Sequence, residues 1–378
     1  MLAKKVRKLF SLIGVAVFLS PGVVFADYKL NMTEGVTPIS HEVYNLHMLV
    51  MILVTVVGVA VFAVIIYSLI KHRKSKGAVA AQFHESTTVE VIWTVIPLVV
   101  LVLIAIPATS TLLKLEDSSD PDVTIKVKAY QWKWQYEYLD EGVSFFSSLD
   151  AKSREARELD SGIDVATVDH YLLNVDNQLV VPVNKKVRFL MTADKVIHSW
   201  WVPALGVKRD AIPGYINESW AKIEKPGIYR GQCAELCGKD HGFMPIVVKA
   251  VSDEEYASWV KAQKLAMADA AAGASKTWSK ADLMARGEEV YNTNCAACHQ
   301  ANGAGIPGVF PPIAGSKIVQ GTAAGHIKVV FDGVDNTAMQ AFGKQLNAAD
   351  LAAVVTFERN AFGNSASIVQ PADVLAAK

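Results

Sequence analysis

Long apolar segments occupy the first third of the chain. Residues 45–70 and 91–113 are almost free of charged side chains, and each segment is long enough to cross about 30 Å of hydrocarbon as a helix. The basic run Lys71–Lys76 lies between them, and the positive-inside rule places such a loop in the cytoplasm. Residues 27–113 are therefore predicted to form a two-helix transmembrane hairpin, with the region that follows on the opposite side of the membrane.

The first 26 residues contain a shorter apolar segment. A basic start precedes an apolar run that ends at Leu19, and the sequence Val-Phe-Ala ends at Ala26. This order is typical of a secretory signal peptide that is cut before Asp27. A retained third membrane helix is the alternative, although the apolar run is short for a span.

From Val123 onward, apolar and polar positions alternate with the period of a strand. The alternation continues through the aromatic run Gln131–Tyr136. Further strand-like segments lie at residues 171–175, 178–183, 187–191, 219–223, 228–231 and 246–251. Short strands separated by Pro and Gly turns predict an all-β sandwich or barrel over residues 114–260. The polar residues 140–170 are predicted to be an insertion or a long loop.

The last part of the chain predicts a linker and a small helical unit. An amphipathic helix begins near residue 252 and passes into an alanine-rich stretch, so residues 261–279 are expected to link two domains. Helical patterns then recur within a unit of residues 280–362. Residues 363–378 are predicted to be a loose tail.

Composition narrows the classes of function. The 378 residues include 37 basic and 37 acidic side chains, whereas a nucleic-acid-binding protein usually shows a basic excess. A hydrophobic content of 51% excludes disorder as the dominant state. The four cysteines all fall inside two short motifs, which indicates that their sulfur atoms serve metal or cofactor chemistry.

The first motif combines thiol, imidazole and thioether side chains. Cys233, Cys237 and His241 are spaced four residues apart, and Met244 follows. Gly and Pro residues break the segment, which favours a loop between two strands, and His198 at a predicted strand end can meet that loop. This soft ligand set favours copper, and zinc or a disulfide are the alternatives. Two cysteines, where a mononuclear blue-copper site needs one, also allow two metal ions to be bridged.

The second motif, Cys295-Ala-Ala-Cys298-His299, is the pattern for covalent attachment of a c-type haem. His299 is the expected proximal iron ligand, and Met339 is the expected distal ligand because it is the only methionine after His299. Ligation by Met and His raises the iron potential, which suits an electron carrier. His326 is the alternative distal ligand, but it is predicted to lie on a polar helix.

Taken together, these motifs resemble subunit II of the haem-copper cytochrome c oxidases over almost the whole chain. The resemblance rests on residues 89–94, 131–136 and 205–214 and on the complete Cys-x3-Cys-x3-His-x2-Met cluster. The added haem unit resembles the caa3-type arrangement. The resemblance implies a multidomain fold: a transmembrane hairpin, an all-β cupredoxin-like copper A domain and a small all-α class I cytochrome c domain.

The resemblance also implies a binuclear copper A centre and assigns its ligands. Cys233 and Cys237 would bridge both copper ions. The remaining ligands would be His198 and Met244 on one ion, and His241 with the backbone carbonyl of Glu235 on the other.

Three further roles follow from the resemblance. The Glu235 carboxylate resembles a ligand of a magnesium ion at the subunit I interface, and a solvated acid is the alternative. Trp132 matches the exposed tryptophan through which electrons enter from cytochrome c, whereas Trp134 and Tyr136 are more simply explained by core packing. Glu90 matches the glutamate at the mouth of the proton path into subunit I, and a carboxylate that reaches into the membrane interface is the alternative.

The implied function is electron input to a proton-translocating oxidoreductase. Electrons from cytochrome c or another periplasmic donor would pass through haem c and copper A to subunit I, where oxygen is reduced. We expect subunits I and III and membrane lipid as partners, in a bacterial inner membrane with both C-terminal domains in the periplasm. A nitrous-oxide-reductase-like carrier would lack the hairpin, a copper chaperone would lack the haem motif, and a quinol oxidase subunit II would lack the copper ligands.

Overall fold

The computed structural model describes residues 31–377, so the predicted signal peptide lies outside the described residues. Two long helices come first, α1 (Pro38–Lys71) and α2 (Thr87–Glu116). Both are long and apolar enough to cross a membrane. Their apolar side chains are largely exposed, as expected of a surface that lipid covers. Helix α1 begins seven residues before the predicted span and ends one residue after it, and α2 extends four residues before and three residues after its predicted span.

Polar contacts join the outer ends of the two helices to the β-domain. The hydroxyl of Thr37, which caps α1, donates to the carbonyl of Leu205 at 2.9 Å. At the end of α2, the Glu116 carboxylate accepts two hydrogen bonds from the guanidinium of Arg209, at 3.0 and 3.1 Å. The helical hairpin therefore meets the β-domain at defined points.

The β-domain is a sandwich of two five-stranded sheets with the orders β3-β2-β1-β5-β8 and β4-β10-β9-β6-β7. The strands are β1 (Val123–Tyr130), β2 (Lys133–Tyr138), β3 (Val143–Ser147), β4 (Leu179–Pro182), β5 (Lys186–Ala193), β6 (His198–Val202), β7 (Val207–Ala211), β8 (Asn217–Lys222), β9 (Gly227–Cys233) and β10 (Pro245–Val251). Trp134, Tyr136 and Trp200 are fully buried between the sheets. Core packing therefore explains Trp134 and Tyr136.

One prediction within the sandwich region was wrong, and a second was incomplete. Residues 171–175 form turns and one isolated bridge, because His170 and Leu172 adopt positive φ angles of 49° and 61°, which break an extended strand. Residues 140–170 are not simply a loop, since they contain β3 and the short helix α3 (Ala151–Ala156). Strand β3 pairs with β2 and completes that edge of the sheet.

The segment predicted to be a linker is mostly helical. Helix α4 (Asp253–Gly273) continues through the alanine-rich stretch, because alanine has the highest helix propensity. Its first turns pack on the sandwich through Tyr256 and Trp259. Only residues 274–279 lie outside regular structure before the next helix.

The last unit is a bundle of helices around its own core. Its helices are α5 (Lys280–Asn294), α6 (Ala296–His299), α7 (Lys317–Gln320), α8 (Ala323–Asp332), α9 (Ala348–Asn360) and α10 (Pro371–Ala376). The prediction that residues 363–378 form a loose tail was wrong, because Val369 and Val374 are buried in this core. The side chain of Gln370 also exchanges two hydrogen bonds with the backbone of Trp278, both 2.9 Å long.

Candidate copper and haem sites

The candidate copper ligands meet at one end of the sandwich because neighbouring strands begin and end there. Strand β9 ends at Cys233, and its hydrogen-bonded neighbour β6 begins at His198. The loop after β9 turns through a short 3-10 helix, His241–Phe243, and enters β10. The pairing of β6 with β9 therefore holds His198 and Cys233 near each other, and the loop after β9 carries the other candidate ligands.

The ligand atoms of this copper cluster form a continuous series of contacts. His198 Nδ1 lies 3.8 Å from Cys233 Sγ, the two sulfur atoms are 3.8 Å apart, and Cys237 Sγ lies 3.6 Å from His241 Nδ1. A disulfide requires a sulfur–sulfur distance of about 2.05 Å, so the two thiols are not bonded to each other. Two adjacent sulfur atoms with an imidazole on each side suit a pair of bridged, soft metal ions.

The other two predicted ligands have backbone carbonyls that contact Cys233. Met244 is buried, and its carbonyl accepts a hydrogen bond from the backbone N–H of Cys233 at 3.1 Å. The carbonyl oxygen of Glu235 lies 3.4 Å from Cys233 Sγ, while the Glu235 side chain is exposed. The donor set, which is soft and largely buried, fits copper.

The two thiols titrate as a pair because their sulfur atoms are in contact. The hydrogen bonds of Cys233 to Cys237 and His198 lower the pKa of Cys233 below its ordinary value. The same contact with Cys233, together with burial, raises the pKa of Cys237 well above its ordinary value. A metal ion that bound both sulfur atoms would displace the proton from Cys237, so metal binding at this cluster is expected to release protons.

A cavity of about 310 Å³ in the helical unit brings the predicted haem residues together. Its wall includes Cys295, Cys298, His299 and Met339 among mostly apolar side chains. The Nδ1 atom of His299 lies 2.8 Å from the carbonyl oxygen of Pro311. Because a carbonyl only accepts, Nδ1 carries the proton and Nε2 is available as an iron ligand. The apolar lining and the oriented imidazole fit a haem.

His326 does not lie on a polar helix face, so that prediction was wrong. Helix α8 is amphipathic and buries His326 beside Ile327 and Val330. Its Nε2 atom lies 2.8 Å from a carboxylate oxygen of Glu358, and both side chains line the haem cavity. Glu358 was not predicted from the sequence, although a single acidic residue at the end of an apolar helical run is an available signal.

Trp132 lies between the copper cluster and the haem cavity. Its indole Nε1–H donates to the carbonyl of Cys237 at 3.1 Å, and its ring packs on Gly238, where an added Cβ would lie 3.1 Å from the ring. The same tryptophan lines the haem cavity beside Cys295 and Cys298. One aromatic side chain therefore contacts both candidate sites.

The residue after Trp132 is a buried lysine. The ammonium of Lys133 donates to Asn294 Oδ1 at 2.5 Å and lies 4.6 Å from the centre of the Phe146 ring. Only 5% of Lys133 is exposed, and burial lowers its pKa to about 8.

This buried amine predicts a pH effect on stability. The folded-state pKa of Lys133 lies below the value of 10.5 for an exposed lysine, so the folded state releases this proton first. Its stability should therefore rise, relative to a Lys133→Met variant, as the pH increases from about 8 to about 10, by roughly 3 kcal/mol. Thermal unfolding of both proteins across this pH range measures the difference, and parallel pH profiles would contradict the expected burial cost.

Glu90 lies far along the chain from both clusters. It occupies the first turn of α2, where its carboxylate accepts a hydrogen bond from the backbone N–H of Ser86 at 3.4 Å. A negative charge at this position is favoured by the helix dipole, so a structural reason for this residue exists beside the predicted proton-path role.

Comparisons with known proteins agree with this architecture. Residues 26–111 match the family "Cytochrome C oxidase subunit II, transmembrane domain", and residues 123–251 match "Cytochrome C oxidase subunit II, periplasmic domain". Residues 282–357 match "Cytochrome C oxidase, cbb3-type, subunit III". These matches confirm the predicted fold class, which is a membrane hairpin followed by a sandwich and a helical cytochrome c region.

Individual proteins of known sequence or structure are also similar to this chain. A probable cytochrome c oxidase subunit 2 of Rickettsia bellii is 38% identical over 258 residues, which cover 67% of this chain and 92% of the relative. Cytochrome c oxidase subunit 2 of Cereibacter sphaeroides is 37% identical over 233 residues, 60% of this chain and 77% of the relative. The crystal structure of the periplasmic domain of subunit II of cytochrome oxidase from Bradyrhizobium japonicum is 44% identical, covers 39% of this chain and 96% of that one, and gives a TM-score of 0.34.

The hairpin and sandwich fall within one family, and the helical unit after them matches a second family of oxidase cytochromes. This chain belongs to the cytochrome c oxidase subunit II family and carries an additional cytochrome c domain.

Proposed function

We propose that this chain is the electron-input subunit of a caa3-type oxidase. It would accept electrons on a covalently bound haem c in the domain of residues 280–362, and pass them to a binuclear copper A centre in the domain of residues 114–260. Subunit I, with its own metal centres, would receive them next. The position of Trp132, which contacts the carbonyl of Cys237 and lines the haem cavity, is the observation that carries this proposal.

The copper cluster would bind its ions through rigid side chains. Bound copper and haem would supply one-electron redox chemistry. His198 and Cys233 are fixed by paired strands, and the sulfur atoms are buried, so the ligands are held in place and most water is excluded. In the haem domain, Pro311 holds the proximal imidazole of His299 in one tautomer.

The Trp132→Phe variant tests the proposed connection. Phenylalanine keeps an aromatic ring but removes the N–H that bonds the Cys237 carbonyl, so electron transfer from haem c to copper A should slow while both metal spectra persist. Flash reduction of the haem, followed by the absorbance of each centre, measures the internal rate. Trp220→Phe is a matched control, because it removes an indole hydrogen bond to the carbonyl of Lys114, 3.2 Å long, at the membrane side of the sandwich. Equal internal rates in the native protein and in Trp132→Phe would contradict the role of Trp132.

The exposed carboxylate of Glu235 supports a further part of the proposal, a magnesium site shared with subunit I. It lies on the loop between Cys233 and Cys237, and its own carbonyl adjoins Cys233. In an assembled oxidase grown with manganese, Glu235→Gln should weaken the paramagnetic signal of bound Mn²⁺. An unchanged manganese signal would leave Glu235 as a solvated acid.

The proposed setting is a bacterial inner membrane. The two apolar helices support membrane insertion, and the basic loop between them would face the cytoplasm. Both C-terminal domains would then lie in the periplasm, where cytochrome c or another carrier acts as donor. Subunit III and a proton-path role for Glu90 belong to the same proposal.

A further inference from the structure

The haem domain contacts the copper domain along the segments that surround its cofactor residues. Arg154 donates to the hydroxyl of Thr293 at 2.9 Å, close to Cys295, and Lys239 donates to the carbonyl of Ala297, between the two cysteines. These contacts join α5 and α6, the two helices on either side of Cys295, to the copper domain. A second group of contacts involves a different element, the loop that carries Met339.

Three hydrogen bonds tie this methionine loop, residues 337–340, to the copper domain. The ammonium of Lys195 donates to the carbonyls of Thr337 and Met339, each at 3.1 Å. The side-chain amide of Gln340, which is buried, donates to the carbonyl of Gln131 at 2.7 Å. On the copper-domain side, the partners of this loop are close in sequence to proposed functional residues. Gln131 directly precedes Trp132, and Lys195 precedes His198 by three residues.

Within its own domain, the methionine loop is held by short-range hydrogen bonds. The Thr337 hydroxyl donates to the Val334 carbonyl at 2.8 Å, and the side-chain amide of Gln345 donates to the side-chain oxygen of Gln340 at 3.3 Å. The loop lies between α8 and α9 in a stretch without regular structure. Its local hydrogen bonds include one from the Met339 N–H to the Thr337 hydroxyl at 3.1 Å and one from the Val334 N–H to the Met339 carbonyl at 3.2 Å. The carbonyl of Met339 therefore accepts from both domains. Hydrogen bonds from an ammonium group are stronger than those between neutral groups.

We propose that Lys195 of the copper domain and Gln340 of the loop are positioning residues that keep Met339 in place as the distal haem ligand. The inference rests on the proposed haem c. It goes beyond that function, because the ligation of one cofactor then depends on contact with the domain that holds the other. A haem domain that leaves the copper domain loses these three bonds, and its methionine is released from the iron more often.

The first test uses Lys195→Met in the assembled oxidase, with carbon monoxide as a probe. Carbon monoxide binds ferrous haem c only where the methionine has left the iron. Lys195 makes two bonds, but both are exposed to solvent, so together they are worth about as much as one ordinary hydrogen bond, and their loss should raise the fraction of haem c that reacts with carbon monoxide about fivefold. The ferric form should lose intensity in its methionine-to-iron charge-transfer band. Gln340→Met should act in the same direction, and Lys195→Arg, which keeps a charged donor, should restore near-native behaviour.

Lys249→Met is the matched control, since Lys249 is an exposed lysine on β10 of the same sandwich. It should leave both haem signals unchanged. Native carbon monoxide reactivity and a native charge-transfer band in both Lys195→Met and Gln340→Met would overturn the inference. The proposed function fails differently, through the absence of a c-type haem spectrum or of a mixed-valence copper signal in the native protein.

Discussion

A Cys237→Ser oxidase should lose the mixed-valence copper signal and keep the absorption of haem c. Cys237 has contacts on both sides, 3.8 Å to the sulfur of Cys233 and 3.6 Å to Nδ1 of His241. Serine offers a hard oxygen that copper binds poorly, so one of the two bridges is lost. Loss of a partner outside the metal shell already costs 10–100-fold in affinity in other proteins. We therefore expect copper affinity to fall by more than about 100-fold, and internal electron transfer to be lost with the copper centre.

Electron paramagnetic resonance of the oxidised enzyme measures the copper signal, and the visible spectrum measures the haem. Cys298→Ser is the reciprocal control, because it removes one predicted thioether link and leaves the copper cluster intact. A surviving mixed-valence signal in Cys237→Ser would show that the sulfur of Cys237 does not bridge two ions. The two copper ions would then have to be held by ligands other than Cys237.

The second large effect is expected in the core of the haem domain. Gly287 lies where α5 crosses α9, and a Cβ added there would lie 2.2 Å from the carbonyl oxygen of Ala353 and 2.6 Å from Cβ of Phe357. Gly287→Val cannot be accommodated by a side-chain rotation, because the nearest atom belongs to the backbone. Overpacking of this kind costs about 3 kcal/mol or more. We expect the haem domain to lose most of its attached haem while the copper signal remains.

The ratio of haem to copper in the purified oxidase measures this outcome. Ala285→Val introduces the same β-branched side chain at an exposed position of α5, and it should leave the ratio unchanged. A stoichiometric haem content in Gly287→Val would mean that the two helices can separate without loss of the fold. Loss of both cofactors together would instead indicate that the sandwich depends on the haem domain for its own folding.

Local motifs made much of this molecule predictable from sequence. The membrane helices were predicted from long uncharged runs, and the strands from the alternation of apolar and polar residues. Both patterns are formed by residues that are neighbours in sequence. The ligands in Cys233–Met244 are also close along the chain, so their spacing could be interpreted directly. His198 could be added because a strand end was visible there.

The contacts between the two domains could not be predicted in this way. Lys195 and Thr337 are separated by 142 positions, and neither residue type is unusual for a surface. The burial of Lys133 was equally hidden, because in sequence it continues an ordinary alternating strand. The buried pair of His326 and Glu358 needed the packing of α8 against α9, which the helical period alone does not provide.

The short connection between the domains determines how strongly they must bind each other. Six residues, 274–279, separate the rigid helix α4 from α5, and fully extended they span at most about 20 Å. A tether of this length keeps the local concentration of one domain near the other at about 1 mM. An interface with a dissociation constant of only about 0.1 mM would then be occupied about nine-tenths of the time. A few polar bonds are sufficient for that occupancy, and they still let the haem domain leave and return.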